Sequence, residues 1–224
     1  MSTLFENYGQ LLVLDIKEQI SEELEPNKIH DIVNKHLYNS HIINFKSAKF
    51  QQYYFSIVNN VDTYLNEPFF KKFRTQYSLQ GIDLRFLESL EADKKEILKY
   101  ILEDQLEELY ISKFKKVELK RKDSFIISEQ GSFFSKLVHI FRPYEYCALD
   151  RPIKKYFGLE KESYFISFLA ISRAYKNWAN EHTETVTQIK NIFKVIDVNR
   201  VMDFNKISDL KLLDLIFWSK ANNK

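Results

Sequence analysis

The stretch Ser132–Leu159, SFFSKLVHIFRPYEYCALDRPIKKYFGL, decides how the chain is read. Phe133, Phe134, Leu137, Val138, Ile140 and Phe141 cover most of one helix and leave Ser132, Ser135, Lys136 and His139 on a narrower polar strip. Arg142-Pro143 ends that helix, since proline lacks an N–H and clashes with the preceding turn. Beyond the aromatic connection Tyr144-Glu145-Tyr146, Asp150 holds the position of an N-cap. Pro152 suits the first turn of a helix over Arg151–Phe157, and Gly158 suits its end. The unit is helix, capped turn, helix.

The same periodicity extends in both directions. Toward the C-terminus, Tyr164, Phe165, Phe168, Leu169, Ile171, Ala174, Tyr175 and Trp178 predict a helix over Glu160–Asn180, and Ile189, Ile192, Phe193, Val195 and Ile196 predict another. The closing ISDLKLLDLIFWSKANNK has Ser208 as N-cap and Leu210, Leu212, Leu213, Leu215, Ile216, Phe217 and Trp218 packing inward. Toward the N-terminus, Leu4–Leu24 is a first helix ended by Pro26, and Ile29, Ile32, Val33 and Leu37 follow on a second. Residues Ile42–Leu65 read as one core-facing aromatic helix. The alternative is a stacking platform for single-stranded nucleic acid, with Lys46 and Lys49 among its rings. Pro68 opens the next helix, which Gly81 ends, and Ile82–Lys122 reads as a long helical pattern.

Composition agrees with this pattern. Only four Gly and four Pro punctuate 224 residues that are 45% hydrophobic, which favours long helices joined by short loops in an all-α, multi-helix globular protein of about nine or ten helices. Asp123–Gly131 breaks the helical period. The expected division is therefore an N-terminal helical subdomain, 1–123, and a C-terminal one, 124–224, packed as one unit because no Gly/Ser linker separates them.

The net charge of +2 makes no global argument for nucleic acid, so distribution matters more. Phe86–Ile111 carries eight acidic and three basic side chains, while Lys113–Lys122 carries six basic and one acidic. A helix macrodipole rewards that order, and the KFKKVELKRK tail can also meet phosphates. Arg151–Lys176 holds six basic and two acidic residues, with Arg151, Lys154, Lys155, Lys161, Arg173 and Lys176 as a candidate nucleic-acid face.

The single cysteine, Cys147, cannot form an internal disulfide, and its YCAL setting reads as a buried structural thiol. The N-terminus lacks the pattern of a signal peptide and no apolar run reaches bilayer length, so a cytoplasmic location away from membranes is expected. His30, His36 and His41 are spaced six and five apart, which does not place two ligands on one helical turn, and no metal site is expected.

A Lys in an apolar helix, a short loop, an Asp at the start of the next helix and a basic run after it resemble the lysine and aspartate arrangement of helix-hairpin-helix DNA glycosylases. The stretch as a whole looks like a segment of small bacterial proteins with an 8-oxoguanine-glycosylase-like helical fold, and Leu212–Lys220 looks like their ending. The likeness spans roughly Gly131–Lys220 with gaps. It implies a glycosylase-like C-terminal half and DNA as partner; no cofactor can be read from the chain and none is expected. It also implies Lys136 as the amine that forms a Schiff base at the sugar C1′, Asp150 as the carboxylate assisting base expulsion, and Tyr144 or Tyr146 as rings that stack on an extruded base. The chain departs from that pattern in lacking a Gly-x-Gly turn before Lys136, where Gly131 stands alone.

Plainer readings stand beside these. Asp150 serves as a helix cap, Lys136 as an exposed residue of the polar strip and His139 as a surface histidine. The chain is then a nucleic-acid-binding or protein-interaction module without catalysis.

Overall fold

The computed structural model describes residues 3–38, 45–79, 81–121 and 124–222. Thirteen α-helices carry most of these residues, with one two-stranded sheet. The N-terminal half contains α1 (Thr3–Glu23), α2 (Ile29–Val33), α3 (Phe45–Ile57), α4 (Val61–Asn66), α5 (Phe70–Gln76), α6 (Leu84–Ala92), α7 (Lys94–Leu102) and α8 (Leu106–Leu109). A hairpin of β1 (Val117–Arg121) and β2 (Ser124–Ser128) leads into α9 (Gly131–Phe141). The chain closes with α10 (Arg151–Tyr156), α11 (Tyr164–Glu181), α12 (Thr183–Ile196) and α13 (Asp209–Asn222).

Local chemistry explains several boundaries. The aromatic helix expected over Ile42–Leu65 is broken, its residues 42–44 lying outside the described residues. Asn59 adopts a left-handed φ of 54°, and Asn60 then caps α4 by accepting from the Thr63 N–H at 3.0 Å. Ser208 caps α13 as expected, accepting from the Lys211 N–H at 3.1 Å. Gly158, at φ 70°, ends α10 with the Leu159 N–H on the Lys154 carbonyl and the Gly158 N–H on the Lys155 carbonyl.

The long helix expected over Ile82–Lys122 is corrected to three short α-helices, a π-helical turn over Tyr110–Phe114 and a strand. Asp83 caps α6 through the Phe86 N–H at 3.0 Å, and its other oxygen accepts from the Lys120 N–H at 2.7 Å. VELKR alternates rather than cycling. Val117 and Leu119 are buried and Glu118 and Lys120 are exposed, which is the period of a half-buried strand. The expected boundary at 123/124 falls between β1 and β2, and residues 122 and 123 lie outside the described residues.

The core is continuous across the chain. α1 packs along α11, and α10 and α11 pack on α13. α9 lies at the centre, with Phe133 against Phe73 at 5.1 Å and Phe114 at 5.9 Å, and Phe134 against Tyr110 at 5.0 Å and Phe168 at 5.4 Å. Each buried phenylalanine stabilises the fold by roughly 1.5–3 kcal/mol. Trp218, expected inside, is 39% exposed, whereas Leu210, Leu212, Leu213, Leu215, Ile216 and Phe217 are buried. No helix among the described residues is long and apolar enough to cross a membrane.

Candidate active site

α9 is buried on every side, and its polar strip faces the interior. Lys136 is 7% exposed and Ser135 and His139 are fully buried, which corrects the expectation of an exposed lysine and a surface histidine. Four side chains at i, i+3, i+4 and i+7 share one face of this helix. A buried strip must find partners, and each member does.

Ser135 Oγ accepts from the Leu149 N–H at 3.0 Å and donates to the Leu149 carbonyl at 3.1 Å. The Tyr164 hydroxyl of α11 donates to the same carbonyl at 2.8 Å, and the Cys147 N–H donates to Ser172 Oγ at 3.0 Å. The Cys147–Leu149 backbone is thus clamped between α9 and α11. The clamp delivers Asp150 to the strip. Its Oδ1 accepts from Ser132 Oγ at 2.8 Å and lies 2.6 Å from Lys136 Nζ.

Asp150 does hold the N-cap position of α10 in an extended conformation, with Pro152 in the first turn, but its side chain makes no capping hydrogen bond. The capping role read for that carboxylate is corrected, because Ser132 and Lys136 occupy it. Its side chain is 28% exposed against 9% for Lys136, so the pair opens to solvent on the Asp150 side, beside exposed Arg151. The ring of Tyr77 lies under Lys136 Nζ at 5.7 Å.

His139 completes the strip. A carbonyl can only accept, so the 2.7 Å contact of Nδ1 with the Tyr146 carbonyl places the proton on Nδ1, and Nε2 accepts from the Tyr54 hydroxyl at 2.9 Å. Burial, reinforced by the charge of Lys211, lowers its pKa to about 3. A neutral imidazole serves here as a bridge between α9, α3 and the connection. Cys147 is buried as expected, and its thiol is pushed up to about 12 by desolvation.

A second pair lies behind the first. Lys211 Nζ meets Asp214 Oδ2 at 2.9 Å, with both side chains almost fully buried and Lys211 Nζ 5.2 Å from the ring centroid of Tyr54. Sequence reading missed these residues and the roles of Tyr54, Tyr77 and Tyr164. The available signal was two opposite charges three residues apart inside the otherwise apolar LKLLDLIF.

The remaining candidates are more scattered. Arg151, Lys155 and Lys161 are exposed around α10, and Lys154 donates to the Glu162 carbonyl with Tyr164 5.7 Å from its Nζ. Arg173 lies nine residues along α11 from Tyr164, about 13 Å away at the helical rise, where its charge acts on Tyr146. Tyr146 is already stacked on Phe168 at 5.3 Å, covered by the Arg142 guanidinium at 5.1 Å, and bonded through its hydroxyl to Asp104 at 2.6 Å. Tyr144 is 53% exposed and lines an open pocket of about 460 Å³ with Asn59, Asn60, Asp62, Asn205 and Lys206. Neither Lys136 nor Asp150 lines that pocket.

Among the other histidines, His36 is buried and within 3.1 Å of Ser219 Oγ, His30 is exposed beside Asn34, and His41 lies outside the described residues. Comparison with family models, with curated proteins and with solved structures finds no match to this chain.

Proposed function

We propose that this chain binds DNA and removes damaged bases as a glycosylase/lyase, with Lys136 as the nucleophilic amine and Asp150 as its proton partner. The 2.6 Å contact between Lys136 Nζ and Asp150 Oδ1 supports this reading. It places a carboxylate within direct proton-transfer reach of an amine in a largely desolvated setting.

In that chemistry the Nζ lone pair bonds to C1′, and the electron pair of the C1′–N bond leaves with the base, which takes a proton from water. Asp150 accepts one proton from the new ammonium and returns it to O4′ as the C1′–O4′ bond breaks, leaving a protonated Schiff base. The exposed Arg151 next to Asp150, with exposed Lys155 and Lys161 further along the chain, supply cations for phosphates. Tyr144, the freer of the two candidate rings, is the one to stack on a displaced base. Tyr146 is committed to Phe168 and Asp104.

Borohydride trapping on oxidised-base and abasic duplexes tests the reading. A covalent adduct is expected that disappears in Lys136→Ala. No adduct, or one that survives the substitution, overturns it.

A second reading is favoured by the double hold on Asp150, from Ser132 and Lys136 together. On that reading the pair is a strut between α9 and α10, and the chain is a silent nucleic-acid-binding or protein-interaction module. Salt-dependent DNA binding without trapping, weakened by charge reversal of Lys154 and Lys155, distinguishes nucleic-acid binding from protein interaction.

A further inference from the structure

We propose that the free edge of β2 pairs with β2 of a second copy of this chain, antiparallel and about a two-fold axis at Ile126.

The register of the hairpin fixes which backbone groups are free. β1 and β2 run antiparallel, with Glu118 opposite Ile127, Leu119 opposite Ile126 and Lys120 opposite Phe125. The Lys120 N–H points away from β2, since it donates to Asp83 at 2.7 Å. Inward-facing and outward-facing residues alternate along an antiparallel pair. Glu118 and Lys120 therefore turn their backbone groups outward on β1, and Phe125 and Ile127 do so on β2. Asp83 occupies the outer edge of β1. The N–H and C=O groups of Phe125 and Ile127 meet no hydrogen-bond partner among the described residues.

The side chains along this edge are apolar and stand in water. Phe125 is 54% exposed, Ile126 39% and Ile127 73%. Edge strands are ordinarily protected by a charge, a proline or a bulge. Ser124–Ser128, SFIIS, holds neither charge nor proline, and its register with β1 is unbroken. A membrane fits this edge poorly, because hydrocarbon leaves open backbone groups unsatisfied. A partner that brings its own extended backbone satisfies them.

A second β2 fits because SFIIS reads nearly the same in either direction. With Ile126 opposite Ile126 of the second copy, Phe125 stands opposite Ile127 of that copy, and Ile127 opposite its Phe125. Every outward-facing residue of β2 then falls in a hydrogen-bonded pair that exchanges both N–H···O bonds. The side chains line up in rows across the joined hairpins. On one face a row runs from Lys120 through Phe125 to Ile127 and then Glu118 of the second copy, and its mirror runs the other way. Apolar pairs meet at the centre, and opposite charges stand at the two ends. On the other face Leu119 and Ile126 meet their own counterparts. These rows set no like charges opposite one another. The contact is isologous, so it closes at two copies. Five residues a side is well below the roughly 20–30 of a standard interface, so the dimer is weak and depends on concentration.

Sedimentation velocity of the full chain between about 5 µM and about 0.5 mM is expected to show a growing dimer. Ile127→Lys changes a side chain that is largely in water, so it is expected to keep the circular dichroism spectrum while staying monomeric throughout. Ile126→Cys tests the register separately. Residues opposite one another in a non-hydrogen-bonded pair have Cα atoms about 4.5 Å apart, within disulfide reach. Ser124 stands four residues off register from its own counterpart, about 13 Å along the strand. Oxidation with copper–phenanthroline is therefore expected to link Ile126→Cys into dimers at least several-fold faster than Ser124→Cys, with buried Cys147 standing aside. An unsubstituted chain that stays monomeric at about 0.5 mM overturns the proposal. So does a dimer that survives Ile127→Lys, or equal cross-linking of the two cysteine variants.

Discussion

Gly131 and Tyr164 fit so closely that a β-carbon on Gly131 would stand 2.2 Å from Tyr164 Cγ. The near atoms belong to the root of the ring and its β-carbon, which cannot swing aside as the end of a flexible chain does. Tyr164 also holds the Leu149 carbonyl, next to Asp150. The glycine that opens α9 therefore governs where the carboxylate at the start of α10 comes to rest.

Gly131→Ala is expected to destabilise the fold by about 1–3 kcal/mol, the usual range for overpacking a filled site. Urea unfolding measures it. Tyr164→Phe keeps the ring and removes the hydrogen bond, so it separates crowding from the loss of the clamp on Leu149. An unchanged urea midpoint in the alanine variant would show that the ring moves freely.

Acid weakens the fold through His139. Its native pKa, near 3, lies below the value of about 6.5 for an unfolded histidine, so below pH 6.5 the unfolded chain binds a proton that the native state refuses. Stability from this group is fully present above pH 6.5. It falls by up to about 1.4 kcal/mol per pH unit as the pH drops from there toward 3. Asp214, raised by burial, acts in the opposite sense, and comparison with His139→Gln cancels its contribution. Unfolding free energies at pH 7.5, 6 and 5 should fall more steeply for the unsubstituted protein. Parallel slopes would refute the assignment.

Cys147 should resist alkylation. Its thiol is buried and raised to about 12, so the thiolate that reacts is scarce and shielded. Iodoacetamide at pH 8 is expected to modify the native protein far more slowly than the urea-unfolded chain, as followed by intact mass. Equal rates would place the thiol at the surface.

Removing α13 should unfold the protein. Its six buried apolar side chains contribute roughly 1.5–3 kcal/mol each, together comparable with the about 5–15 kcal/mol of net stability that domains possess. A chain ending at Asp203 is expected to lose cooperative thermal unfolding by circular dichroism. A cooperative transition in that shortened chain would contradict this account of the packing.

The sequence by itself determined the helical class, the apolar surface of α9, and the local stops and starts at Ser208, Pro152 and Gly158. Each of these depends on a 3.6-residue period or on backbone rules acting within a few residues. The same logic misread Val117–Arg121 as helix, because Lys120 and Arg121 suit a helix C-terminus and the alternation emerges only once Val117 and Leu119 have something to bury against.

The site required the tertiary structure. Composition makes the polar strip of α9 narrow, but whether it faces water depends on what α3, α11 and α13 place opposite it. Asp150 and Lys136 are fourteen residues apart, and Lys211 and Asp214 follow 75 and 78 residues after Lys136. Burial decides their chemistry: in water each charge would be solvated alone, whereas in the interior each must find a partner. That requirement brings Lys136 to Asp150, a pairing that no local period encodes, while Lys211 and Asp214 stand one turn apart on α13 and needed the tertiary structure only to bury the face they share.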